Sequence, residues 1–163
     1  MDGLATPDLY DHDFYAWTQD QAARIRALGA RNDGLDVENV AEEIESLGKS
    51  QRAAVGSLLT QLVAHLLKLR FLPHEGSRPH WRVEVRAFRR NIAREFRNSP
   101  SLRAHRHEIA AEIWEDVADD FLARLEADDH DARPAAAALG DIRQPYFDLD
   151  AEVLNPDWFP DPA

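Results

Sequence analysis

The chain has 163 residues, a mass of 18.5 kDa, 44% hydrophobic residues and a formal net charge of −11. A chain of this length can bury a hydrophobic core without covalent cross-links, so we predict a single domain over residues 1–163. Because the chain contains no cysteine, disulfide bonds, thiolate metal sites and a cysteine nucleophile are excluded.

Charge is distributed unevenly along the chain. Residues 1–50 carry a net charge of −7, residues 51–110 a net charge of +8, and residues 111–163 a net charge of −12. Acidic ends around a basic middle predict that the two ends fold back on the centre. Exposed ion pairs are each worth only ~0–1 kcal/mol, so we expect these charges to decide which segments pair rather than to set the overall stability.

Apolar side chains recur every three or four positions along most of the chain, and we find no strand-like alternation. This periodicity is typical of amphipathic helices and predicts an all-α fold. We expect a bundle-like arrangement of about five main helices, over residues 13–29, 36–48, 50–72, 81–98 and 100–127.

Several residues mark the predicted helix boundaries. Asp36 is a good N-cap for the second helix, and Gly48 is expected to end, kink or interrupt it. Ser99 is expected to cap the fifth helix, with Pro100 at its first position. The third helix, residues 50–72, is apolar on more than one face and should therefore be central.

The last part of the chain has a different character. After a helical core over residues 8–127, we predict a docking segment over residues 128–163, with a short helix at 135–139 following Pro134. This segment contains several prolines and six large apolar side chains, which are Tyr146, Phe147, Val153, Leu154, Trp158 and Phe159. A tail this apolar is expected to dock on the helices rather than remain in solvent.

Five segments of the sequence carry a resemblance to a known family. They are YDHDFYAWTQDQA (10–22), LDVENVAEEIESLGKS (35–50), HLLKLRF (65–71), NSPSL (98–102) and NPDWFP (155–160). Over nearly its whole length the chain resembles the bacterial family called domain of unknown function 29. The resemblance implies a small, mainly helical domain, and it implies no activity or site residue.

His65 is the most interesting single polar residue, because it lies within the most apolar predicted helix. An interior imidazole needs a hydrogen-bond partner, which we expect among the glutamates of the preceding helix. The candidate polar cluster therefore consists of Glu38, Glu42, Glu45 and His65. It is either a satisfied core histidine or a pair lining a cleft that can move a proton or bind a metal.

Spacings that would identify a metal or nucleotide site are missing from the sequence. Neither the Glu-x-x-His spacing of di-metal bundles nor His-x-x-x-His occurs. Gly48-Lys49-Ser50 is similar to the end of a phosphate-binding loop, but Glu43 stands where that loop needs a glycine. We predict no metal and no cofactor.

Five arginines form a candidate basic face on the fourth predicted helix, namely Arg82, Arg86, Arg90, Arg94 and Arg97. Nucleic acid would favour such a face, but the net charge of −11 argues against that partner. We expect pairing within the chain, with the acidic helix around residues 38–45 or with the acids Glu112, Glu115, Asp116, Asp119 and Asp120. An acidic protein partner stays open as the alternative.

The sequence also limits location and function. The N-terminus lacks the basic, apolar pattern of a targeting peptide, and the longest uncharged run, residues 53–67, is shorter than the ~20 residues of a membrane span. We predict an acidic cytoplasmic protein with no membrane segment. Its function is either that of a non-catalytic interaction module, binding another protein or its own copy, or that of a small metal- or proton-handling enzyme based on His65 and the 38–45 helix.

Overall fold

A computed structural model describes residues 8–28, 34–72 and 75–163, and these ranges contain helices and no strand. Five of the helices have seven residues or more, so the shorter ones raise the number above the predicted five. A 3₁₀ turn (Glu75–Ser77) and a short π-helix (Leu149–Val153) accompany the α-helices of these ranges. The α-helices are α1 (Leu9–His12), α2 (Phe14–Leu28), α3 (Val37–Phe71), α4 (Arg78–Asn98), α5 (Pro100–Ala104), α6 (Arg106–Ala127) and α7 (Arg133–Leu139).

The chain divides into two compact units. The first comprises residues up to Val55 together with Arg94–Arg106, and the second comprises Gly56–Ala93 and His107–Ala163. Helices α3 and α4 therefore contribute residues to both units. A single domain over residues 1–163 stays a prediction.

Helix α3 runs without interruption for 35 residues, where two helices separated at Gly48 were predicted. Gly48 is buried against α2, and a Cβ at this position would overlap Thr18 Oγ1 and lie 3.1 Å from Gln19 Nε2. The glycine is therefore needed for the close approach of the two helices, and the predicted break was wrong. The cost of a glycine inside a helix, ~1 kcal/mol relative to alanine, is compatible with a helix held by such tertiary packing.

Replacing Gly48 with alanine is expected to lower the free energy of unfolding by about 1–3 kcal/mol, because the added methyl group displaces the buried Thr18 side chain. Gly56→Ala is the matched control on the same helix. Its Cβ would meet Ile109 and Ile113 at 3.8 and 3.9 Å, which is ordinary contact, so we expect a gain of about 0.5–1 kcal/mol. Urea unfolding measures the free energy of unfolding of both variants. Equal changes in the two would contradict the role of Gly48 in the close packing of α2 and α3.

Helices α5 and α6 replace the single helix predicted over residues 100–127. Pro100 begins α5 as predicted, but the Ser99 side chain does not cap it. Instead the Asp13 carboxylate accepts hydrogen bonds from the backbone N–H and the hydroxyl of Ser101, at 2.7 and 2.6 Å. The same carboxylate accepts from the backbone N–H of Ala16, at 3.1 Å, in the first turn of α2. One aspartate thus caps two helices of the first unit.

Ser99 has a different role in the first unit. Its side chain is fully buried, and its hydroxyl accepts a hydrogen bond from the backbone N–H of Tyr15 at 3.2 Å. The same hydroxyl donates to Oε1 of Gln51 at 3.0 Å. The buried hydroxyl is therefore satisfied as donor and acceptor and connects α2 and α3 with the start of α5.

The second half of α3 supplies the core of the second unit, as its apolar character predicted. Five of its leucines are at most 1% exposed, which are Leu59, Leu62, Leu66, Leu67 and Leu69. The C-terminal segment packs on this unit through edge-on aromatic contacts. The Phe147 ring lies 4.9 Å from that of Tyr146, 5.5 Å from that of Trp158 and 6.5 Å from that of Trp114 on α6. The predicted docking of the tail is therefore present.

Candidate interaction surface

Arg89 holds the C-terminal segment on α4. Its side chain is only 6% exposed, and its guanidinium group donates to the carbonyl oxygens of Val153, Trp158 and Glu152 at 2.8, 2.9 and 2.9 Å. Burial, with the nearby positive charge of Arg86, lowers the pKa of Arg89 to about 10. Arg89 therefore remains a cation at neutral pH, bonded to main-chain carbonyls and not to the carboxylates predicted as partners of this helix.

The ring of Phe159 in the C-terminal segment lies among three arginines of α4. The distances from the ring centroid to the guanidinium carbons are 4.1 Å for Arg82, 5.4 Å for Arg86 and 5.1 Å for Arg89. Such cation–π contacts attract a guanidinium group and restrict its orientation. The Phe159 ring therefore restricts the orientations of the arginine side chains that it contacts.

Beside this contact lies a groove of about 380 Å³, which we call the arginine groove. Within the described ranges no carboxylate lines it, and its apolar walls come from α4 and from the C-terminal segment. The lining residues are Arg86, Arg89, Arg90, Ala93, Leu154 and Pro156. Arg86 and Arg90 are exposed and make no ion pair with any carboxylate of the described residues. The groove is therefore cationic within an acidic protein.

The other members of the predicted basic face do not line the groove, unlike Arg86 and Arg90. Arg82 is exposed and contacts Phe159, as described above. Arg94 lies 3.8 Å from the carboxylate of its neighbour Glu95, and Arg97 is exposed at the end of α4. Both belong to the first unit, and neither lines the groove.

His65 pairs with a glutamate of α4 rather than with the glutamates predicted. Its Nε2 lies 2.6 Å from Glu84 Oε2, and its Nδ1 lies 2.7 Å from the carbonyl oxygen of Gln61. Because a carbonyl oxygen can only accept, Nδ1 is the donor to Gln61, and Nε2 faces the Glu84 carboxylate. Both ring nitrogens are thus engaged, so His65 has the geometry of a satisfied histidine beside the ring of Phe88.

Glu38 and Glu45 bind an arginine of α2 in the first unit. Arg26 contacts Glu38 at 3.2 Å and Glu45 at 2.8 Å, and its hydrogen bond lowers the pKa of the Glu45 carboxyl, with a further contribution from Lys49. Glu42 is exposed on the same helix. Glu38 and Glu45 thus pair with Arg26 in the first unit, and His65 pairs with Glu84 in the second, in place of the predicted polar cluster.

The rest of the described chain contains a largely apolar cavity, but no cluster of metal ligands and no helix suited to span a membrane. No group of three or more histidine, aspartate or glutamate side chains in the described part of the chain is arranged to hold a metal ion. A cavity of about 410 Å³ in the second unit is lined mostly by apolar side chains, with Trp114 and His107 among them. His107 forms an exposed pair with Asp150 at 3.0 Å. None of the helices in the described ranges has the length and apolarity that crossing a bilayer requires.

The described residues therefore form an all-helical structure whose second unit carries a cationic groove between α4 and the docked C-terminal segment. The chain belongs to the family described as Domain of unknown function DUF29, whose model matches residues 9–159. It is similar to an alpha-helical protein of unknown function from Rhodospirillum rubrum, with a TM-score of 0.71 and 25% identity over 94% of this chain and 93% of that one. No curated protein matches the chain. The resemblance seen in the five sequence segments is thus confirmed.

Arg89 groups with the other arginines of α4 in the sequence, and its burial was not predicted. Its position carries a signal, because it follows Val85 by four residues and precedes Ile92 by three, on the apolar stripe of α4. An arginine on a core-facing stripe indicates a buried cation that needs internal acceptors.

Proposed function

We propose that this domain is a protein-interaction module without catalytic activity, which binds an acidic segment of a partner through the arginine groove. The observation that supports this proposal is the presence of Arg86 and Arg90, free of described carboxylate partners, beside the buried cation of Arg89. Arg89 is held by three carbonyls and Arg86 by an aromatic ring, so two of the three cations are preorganised. Preorganised groups lose little conformational entropy on binding.

The chemistry of the groove favours a protein over a nucleic acid. Leu154, Pro156 and Ala93 line the groove, and Val83 on the same helix is 59% exposed. Mixed apolar and arginine surfaces are typical of protein interfaces. A nucleic acid would also have to approach a protein of net charge −11.

The alternative of a small enzyme is less well supported by the geometry around His65. It required His65 and the glutamates at 38, 42 and 45 to share a cleft, whereas His65 bonds to Glu84 and Gln61. An imidazole with both nitrogens engaged is a poor general base or metal ligand. The cytoplasmic location stays a prediction.

Binding of fluorescein-labelled poly-L-glutamate, followed by fluorescence anisotropy in about 0.1 M salt, tests the proposal. The double variant Arg86→Glu with Arg90→Glu should weaken binding at least about tenfold, because it reverses two charges in the groove. Arg97→Glu is the matched control, since it reverses an exposed charge of the same helix outside the groove, and we expect it to change the Kd less than about twofold.

Two outcomes would contradict the proposed function. One is an equal loss of affinity in the groove variant and the Arg97 variant. That result would show that polyglutamate binds to exposed positive charge in general and not to the arginine groove. The other is tighter binding of duplex DNA than of the polyglutamate, with a steep salt dependence.

A further inference from the structure

We infer that the acidic partner of the arginine groove is a second copy of this chain, which contributes the acidic face of α6. This inference rests on the proposed function and names its partner. The acidic face consists of Asp116, Asp119 and Asp120, whose spacing of three and four residues places them on one side of α6.

The acidic face makes no ion pair among the described residues, and Asp120 lines a surface hollow together with Lys68 and Arg124. All three aspartates are exposed, and none makes an ion pair with a basic residue in the part of the chain that the structure describes. Pairing of Asp116, Asp119 and Asp120 with the basic face was expected within one chain. The groove and the acidic face both belong to the second unit, yet neither neutralises the other there.

Two complementary charged faces on one chain can be satisfied when copies associate. The net charge of −11 opposes association at long range, but the Debye length of about 8 Å at physiological salt screens charges that lie away from the contact. Attraction at the contact then depends on the local faces, one with cations held in place and one with three carboxylates. We expect a weak, reversible contact with a Kd in the micromolar range.

Sedimentation velocity of the full chain tests the inference directly. In about 0.1 M salt the sedimentation coefficient should rise with protein concentration, and in about 1 M salt, where the Debye length is about 3 Å, it should stay at the monomer value. A wild-type chain that is monomeric at every concentration in low salt would overturn the inference.

Charge exchange between the two faces provides the sharper test. The groove variant (Arg86→Glu with Arg90→Glu) and the acidic-face variant (Asp116→Arg with Asp119→Arg) should each be monomeric alone, because each carries two faces of like charge. Their equimolar mixture should associate again, because the exchanged faces are complementary. All four positions are exposed, and circular dichroism with urea unfolding confirms that both variants remain folded.

The outcomes separate this inference from the proposed function. A monomeric wild type whose groove still binds polyglutamate would leave the proposed function standing, with a different acidic protein as the partner. Self-association that persists in the groove variant would show that another surface is used and would overturn the inference. Failure of the mixture to associate would overturn it as well.

Discussion

Arg89→Met is expected to lower the free energy of unfolding by about 3–5 kcal/mol, the largest effect of any substitution considered for this protein. Methionine keeps most of the length and the apolar stem of arginine but removes every donor. The carbonyl groups of Glu152, Val153 and Trp158 then lose their partner together. A buried acceptor left unsatisfied costs ~1–3 kcal/mol, and domains are stable by only ~5–15 kcal/mol.

Urea unfolding followed by tryptophan fluorescence measures this effect, since Trp114 and Trp158 lie in the affected unit. Arg90→Met is the matched control, because it removes the next arginine from an exposed position and should change stability by less than ~0.5 kcal/mol. The free energy of unfolding of Arg89→Lys should lie between those of Arg89→Met and Arg90→Met. An ammonium group keeps the charge but cannot reproduce the fork geometry of three guanidinium hydrogen bonds. Equal stability of Arg89→Met and Arg90→Met would contradict the conclusion that Arg89 holds the C-terminal segment on α4.

Asp13→Ala has the second largest expected effect, a loss of about 2–4 kcal/mol. The substitution removes the acceptor of the Ala16 and Ser101 amides at the starts of two helices, and of the Ser101 hydroxyl. Losing one N-cap costs ~0.5–2 kcal/mol. Because one side chain serves both helices, the two losses occur together in the first unit.

Thermal unfolding by circular dichroism measures the loss, with Asp11→Ala as the control at an exposed acid of α1. Hydrogen exchange gives a local readout, because the amides of Ala16 and Ser101 should exchange faster in Asp13→Ala. Asp13→Asn retains a single acceptor oxygen and should be intermediate. If Asp13→Ala is as stable as Asp11→Ala, or if those amides stay protected, the capping role is wrong.

The partner of His65 shows why the candidate site was only partly predictable. The sequence indicated that an imidazole within an apolar helix must be bonded, and it is. The choice of glutamate depended on Gly48 as a break, which would have allowed the 38–45 segment to fold back. Helix α3 is unbroken at Gly48, and within the second unit it is α4 that supplies Glu84 to His65.

The partners of Arg89 show a second limit of sequence reasoning. Side-chain types predict which carboxylates attract an arginine, but every residue of the chain has a carbonyl oxygen. The three acceptors lie 63 to 69 positions away and converge only because the aromatic side chains of the tail pack on the second unit. The arginine groove exists because the tail supplies its second wall.

The sequence by itself determined the all-helical class, the family, the buried position of the second half of α3 in its unit and the docking of an apolar tail. The helical class follows from side chains that repeat every three or four positions, the family from the resemblance of five segments, and the docked tail from its six large apolar side chains. Each of these signals lies within local stretches of the sequence. Tertiary structure alone decided that α3 continues through Gly48, that Asp13 caps α5, and that Arg89 binds carbonyls. Each of these depends on atoms from distant parts of the chain, whose approach is set by packing and which local periodicity does not encode.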